Sequence, residues 1–112
     1  MLALPFSIKI FLRALPTDMR LGFNGLSALV ENEFKEEPTS GHLFVFTNKK
    51  RNRMKILMWE NGGFWLLCKR LERGTFPINF SSSGQQISRL TLTSMLDGIE
   101  IKSSIKKVRF NP

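Results

Sequence analysis

The sequence predicts an α+β domain: a mostly antiparallel sheet of about five to six strands with one main N-terminal helix and a short C-terminal helix. Three observations carry this reading. Asn61-Gly62-Gly63 stands between two runs of alternating character, the strongest short-range signal for a hairpin. Phe23, Leu26, Leu29, Val30 and Phe34 recur at helical spacing behind good N-cap residues. The chain has 112 residues, 42% of them hydrophobic, so one core forms and burial offsets the entropy of ordering.

The elements follow in order. Ser7 to Arg13 alternates, with Ile8, Ile10 and Leu12 on one side and Lys9, Phe11 and Arg13 on the other, the period of a half-buried strand. Pro16 breaks the pattern, and Thr17 and Asp18 then serve as N-caps for a helix from about Met19 to Phe34. Gly22 and Gly25 each weaken that helix by about 1 kcal/mol relative to Ala, which implies close packing there or a later start. Glu31, Glu33, Glu36 and Glu37 fall at its C-terminal end, where the helix dipole disfavours anions. They are read as a solvated cluster or as a face for a basic partner protein.

Pro38 to Gly41 is a turn, His42 to Thr47 a short apolar strand, and Asn48 to Arg53 a polar loop with four cations. Met54 to Glu60 and Phe64 to Glu72 form the hairpin. With Asn61-Gly62 as a two-residue turn, Glu60 pairs with Gly63, Trp59 with Phe64, Leu57 with Leu66 and Lys55 with Cys68. One hairpin face then carries Met54, Ile56, Met58, Trp65, Leu67 and Leu71, interrupted at Lys69, and belongs on the core. The other mixes cations with rings: Arg53, Lys55, Leu57, Trp59, Phe64, Leu66, Cys68 and Arg70. Phe76, Ile78 and Phe80 alternate as a short strand, Gln86 to Leu92 as another, and Thr93 caps a brief helix through Asp97 ended by Gly98. There is no internal repeat and no linker. The division is one domain over residues 1–102 and a basic, loosely ordered tail over residues 103–112.

Charge narrows the partners. Lys and Arg number 17 against 9 Asp and Glu, a net +8. Residues 49–73 hold Lys49, Lys50, Arg51, Arg53, Lys55, Lys69, Arg70 and Arg73 against Glu60 and Glu72, a net +6, and the tail beyond Ile101 adds Lys102, Lys106, Lys107 and Arg109. A polyanion, most commonly nucleic acid, is the partner such a distribution suits; the alternative is that the charge only keeps the domain soluble. A single Cys excludes a disulfide framework, and no stretch approaches the roughly 20 apolar residues of a membrane span. The apolar start lacks the basic flank of a signal peptide. A reduced, cytoplasmic setting without a membrane partner is expected.

Catalysis is not expected. With one His and one Cys, a zinc site from this chain has too few ligands. His42 and Cys68 read as ordinary structural residues rather than a nucleophile and base. Asp18, Glu60, Glu72, Asp97 and Glu100 fall in no metal-binding pattern, so no metal, cofactor or catalytic residue is assigned.

Three blocks in order carry a family resemblance: Thr17-Asp18-Met19-Arg20 followed by Gly22-Phe23-Asn24-Gly25-Leu26; Ser40-Gly41-His42-Leu43-Phe44-Val45-Phe46; and Lys55-Ile56-Leu57 with Trp59 through Lys69-Arg70-Leu71-Glu72-Arg73-Gly74. Over roughly residues 5 to 76 the chain resembles the accessory protein called TnpB, the second open reading frame, of insertion sequences of the sixty-six family, which is distinct from the RNA-guided nuclease of the same name. Cys68 stands where that family usually has an aromatic ring, and the serine-rich segment after Phe76 lacks its Trp-Pro. The resemblance implies a mobile-element protein without catalytic residues, working beside a separate DDE-type transposase of the same element.

Two functions follow as expectations. In the first, Lys49, Lys50, Arg51, Arg53, Lys55, Lys69, Arg70 and Arg73 gather on one outward surface and bind phosphates of element-end DNA, with Trp59 and Phe64 as candidate rings for stacking bases. The opposing reading of the rings, which is favoured, is that both lie under the helix. In the second function the basic surface docks an acidic region of the transposase without touching DNA. Oligomeric state is left open.

Overall fold

In the computed structural model, residues 7–80 and 85–97 are described. They form β1 (Ile10–Leu12), α1 (Phe23–Leu29) with a π-helical continuation (Val30–Phe34), a 3-10 turn (Pro38–Ser40), β2 (Leu43–Thr47), β3 (Arg53–Glu60), β4 (Gly63–Arg70), β5 (Gln85–Ile87) and α2 (Arg89–Asp97). The five strands make one sheet in the order β4-β3-β2-β1-β5. Only β1 and β2 run parallel; the other neighbours are antiparallel.

β1 and β2 are joined through α1, which lies on one face of the sheet. Alternation along β2 feeds two cores. Leu43 and Val45 join Ile10, Leu12, Met54, Ile56 and Met58 beneath α2 and the irregular segment bearing Phe76 and Ile78. Phe44 and Phe46 join Leu57, Leu26 and Val30 beneath α1. Rings fill that second core: Phe11 stacks on Phe44 at 5.5 Å between centroids, and Phe34 meets Phe44 and Phe46 at 5.7 and 6.3 Å. The hairpin face expected on the core is there, apart from Trp65, and Leu57 buries the middle of the mixed face as well.

The hairpin register is the expected one, from Glu60 opposite Gly63 to Lys55 opposite Cys68. Its turn needs positive φ at both central residues, and Asn61 (49°) and Gly62 (83°) supply them.

Elsewhere the structure corrects the sequence. The N-terminal helix begins at Phe23, not Met19, and its N-cap is Gly22 with no side-chain cap bond. Asp18 is not a cap because its carboxylate is committed to Arg20, accepting that residue's backbone N–H at 2.9 Å and its guanidinium at 2.7 Å. Gly25 gives the close packing that its presence implied: an added Cβ would sit 2.7 Å from Leu21 Cδ2. The segment from Gln86 to Leu92 is not one strand. It divides at Ser88, whose Oγ accepts the Thr91 N–H at 3.0 Å and so opens α2 there, placing Thr93 inside the helix rather than at its cap. Phe76 and Ile78 are buried without forming a strand. Gly98 and the tail over residues 103–112 lie outside the described residues.

The Asn61-Gly62 turn generates a test. Nothing lies within 4 Å of a Cβ built on Gly62, so Gly62→Ala acts through backbone strain alone. The expected loss is about 1–2 kcal/mol in urea unfolding at an unchanged m value.

Candidate nucleic-acid interface

The cations of residues 49–73 divide by what holds them. The β2–β3 loop is built on Asn48. Its carbonyl accepts the Arg51 N–H at 3.0 Å, closing a turn whose two central residues are Lys49 and Lys50. Its side-chain oxygen accepts the Asn52 and Arg53 N–H groups, each at 3.0 Å, and its amide donates to Asn52 Oδ1 at 2.7 Å. Both lysines are therefore presented at the tip and are exposed. Arg53 is the first residue of β3, also exposed, and Arg73 is exposed just beyond β4. Among the described residues none of these four side chains has a hydrogen-bond or ion-pair partner.

Arg53 lies directly opposite Arg70 on β4. The Leu71 N–H donates to the Asn52 carbonyl at 2.8 Å, so by alternation the Arg53–Arg70 pair is a non-hydrogen-bonded one, with Cβ atoms about 4.5–5.5 Å apart on one face. Two like charges so placed repel. Glu72 offsets this in part through Arg70, at 3.1 Å, in a pair with both side chains more than half exposed and hence weakly coupled.

Three other cations of the expected set serve the fold. Lys55 donates from Nζ to the carbonyls of Met19 and Leu21, both at 2.8 Å, and so fastens the turn ahead of α1 to the sheet. Arg51, in the left-handed region at φ 57°, donates from Nη1 to the Ile78 carbonyl at 3.1 Å, and its own carbonyl accepts the Phe76 N–H at 2.7 Å. Lys69 points to the opposite face and donates to the Leu96 carbonyl at the end of α2, at 2.6 Å. The eight cations thus do not share one surface. The structure brings Lys49, Lys50 and Arg53 together at one end of the sheet, with Arg70 and Arg73 beside them.

The candidate stacking rings sit at the other end. Trp59 and Phe64 pair across the hairpin with centroids 4.9 Å apart, edge to face, and Phe64 stacks on Phe23 of α1 at 6.2 Å. Six strand residues, about 20 Å, separate them from Arg53 and Arg70. Both are half-buried on the helix side of the sheet.

The acids are also engaged. Glu33 accepts a bidentate pair from Arg13 at 2.9 and 2.8 Å, tying the helix end to the strand region, so the acidic cluster is not wholly solvated. The Arg20 guanidinium and N–H lower the Asp18 carboxyl from 3.8 to about 2. His42 accepts the Lys9 N–H on Nδ1 at 3.0 Å. Among the described residues no three His, Cys, Asp or Glu gather where they could hold a metal, and no helix is long and apolar enough to cross a membrane.

Sequence reasoning missed Asn48, Asn52, and the internal duties of Arg51 and Lys55. Asn at a strand end ahead of a cationic loop was a legible turn signal; the partners of Arg51 and Lys55, 27 and 34–36 residues away, were not.

Comparison with known proteins places these residues in a family. Residues 8–106 match the family model described as IS66 Orf2 like protein. The uncharacterized protein y4hO of Sinorhizobium fredii (strain NBRC 101917 / NGR234) is 33% identical over 95 residues, covering 84% of this chain and 83% of that protein. The uncharacterized protein y4jC of the same strain is 38% identical over 69 residues, covering 62% of this chain and 59% of that protein. No solved structure matches significantly.

Two tests follow. Lys55→Met lowers stability by about 1–3 kcal/mol, because it leaves two carbonyls without their charged donor; a loss near zero in denaturant titration removes Lys55 from the structural set. In an NMR titration the Asp18 carboxyl is expected at about 2, and a midpoint at the ordinary value of 3.8 removes the Arg20 pair from the folded state. Its folded pKa is depressed, so the stability contributed by the Arg20 pair is present above the ordinary carboxylate value of 3.8 and disappears as the pH falls through about 2.

Proposed function

The chain belongs to the IS66 Orf2-like family, and on that premise we propose that it is a non-catalytic accessory protein of insertion-sequence transposition that binds element DNA beside a separate transposase. Lys49, Lys50, Arg53, Arg70 and Arg73 form the phosphate-binding end of the sheet. Arg51, Lys55 and Lys69 act behind it by fixing the Phe76–Ile78 segment, the turn ahead of α1 and α2.

The observation that carries this reading is the Arg53–Arg70 pair. Two arginines directly opposite one another across the ladder, one of them met by Glu72, stand next to a turn that projects two lysines and concentrate positive potential at this end of the sheet. Phosphate oxygens relieve it by neutralising both arginines, releasing condensed counterions as they do so. The contact is to backbone, because the rings that would stack bases lie at the far end of the hairpin.

Retention of element-end DNA in a gel-shift series is therefore expected to weaken with salt at a log–log slope of about −4 to −5. Arg53→Glu converts a repulsive cross-strand pair into an attractive one. It is expected to leave the fold as stable, or up to about 1 kcal/mol more stable, while abolishing the shift together with Lys49→Glu and Lys50→Glu. Binding that ignores salt, or survives these changes, overturns the assignment. Capture of the purified transposase by the wild type but not by the charge-reversed chain, with no DNA shift at low salt, assigns the same surface to an acidic protein region instead.

A further inference from the structure

We infer that the outer edge of β4 is a self-pairing edge, through which two copies of this chain join their sheets about a two-fold axis at Leu67. The two edges of the sheet differ. β5 has three residues, whereas β4 has eight, paired to β3 throughout with no bulge and no proline. Among the described residues nothing covers β4 on its outer side. Long open edges are ordinarily blunted by bulges, prolines or charge; β4 has no bulge or proline, and its charge is confined to Lys69 and Arg70 at one end.

Hydrogen-bond alternation fixes which groups are free. The Leu71 N–H points inward to Asn52, so Leu67 and its odd-numbered neighbours face β3. Phe64, Leu66, Cys68 and Arg70 turn their N–H and C=O groups to the open side.

The side chains make this edge self-complementary. Its first half carries Phe64 and Trp65, the latter 47% exposed, and its second half carries Lys69 and Arg70. Parallel pairing of two copies would set cation against cation. Antiparallel pairing centred on Leu67 sets Phe64 opposite Arg70 on the α1 side and Trp65 opposite Lys69 on the other, with Leu66 opposite Cys68. Each basic end then lies beside the rings of its partner: Arg70 meets Phe64, and the exposed Lys69, whose ammonium keeps two N–H groups beyond its bond to the Leu96 carbonyl, meets Trp65. In this register the outward-facing residues meet one another and form roughly eight main-chain hydrogen bonds. A shift of two residues either way separates the cations from the rings; a shift of one leaves the outward groups without partners. Such an interface is isologous, as a closed dimer requires.

Sedimentation equilibrium on the full chain is expected to give a dimer of twice 12.9 kDa. Cys68→Pro removes an outward N–H and no β3 hydrogen bond. It is expected to give a monomer with an unchanged circular dichroism spectrum, while Cys68→Ser stays dimeric. In the Cys68→Ser background, Leu67→Cys places two thiols in a non-hydrogen-bonded pair at the axis. It is expected to yield a disulfide-linked dimer under mild oxidation. Lys69→Cys in the same background is expected to stay unlinked. This pair of variants decides the matter even if Cys68→Pro fails to fold. A wild type that is monomeric at every attainable concentration, a dimer indifferent to Cys68→Pro, or equal cross-linking at positions 67 and 69 overturns the proposal.

Discussion

The fold depends on β2 having no face free for water. All five residues from Leu43 to Thr47 are fully buried, and their alternation sends Leu43 and Val45 one way and Phe44 and Phe46 the other. A strand buried on both faces needs a cover on each side and a neighbour on each edge. α1 supplies one cover; α2 and the Phe76–Ile78 segment supply the other. β1 and β3 satisfy the edges. Once these are placed, the loops at the ends of the sheet are free of the layers, and Lys49, Lys50 and Arg53 lie at one of them.

The same constraint explains the division among the cations. An ammonium or guanidinium near the layers must find acceptors, since desolvating a charge without partners costs several kcal/mol. Lys55, on a strand under the helix lead, therefore takes two carbonyls and Arg51 takes one, while the exposed Lys69 also bonds the Leu96 carbonyl. Those groups contribute to net charge but hold the covers in place. The charge available to a polyanion is smaller than the total suggests, and more localised.

How much of this was legible in the sequence follows from the range of the interactions. Asn61-Gly62 sets the hairpin register locally, so every pair from Glu60–Gly63 to Lys55–Cys68 could be read in advance. The faces of β1 were legible from its alternation; those of β2, apolar at every position from Leu43 to Phe46, were not. Helix starts were not, because Thr17 and Asp18 have cap chemistry yet spend it elsewhere: Thr17 Oγ1 accepts Arg13 at 3.2 Å and Asp18 holds Arg20. Between Gln86 and Leu92 the apolar residues fit a strand and a helix equally well, and the Ser88 cap divides them, strand before it and helix after. At the candidate site, composition located the basic region. It could not show that Arg51, Lys55 and Lys69 are consumed by carbonyls distant in sequence, or that Trp59 and Phe64 lie a strand's length from the free cations.

The most direct measurement is a two-dimensional NMR titration of isotope-labelled protein with a short duplex at low ionic strength. A phosphate-binding end of the sheet predicts amide shift changes concentrated over Asn48 to Arg53 and Arg70 to Arg73, with Trp59 and Phe23 unmoved. Shift changes centred on those two rings, or none at any DNA concentration, would contradict it.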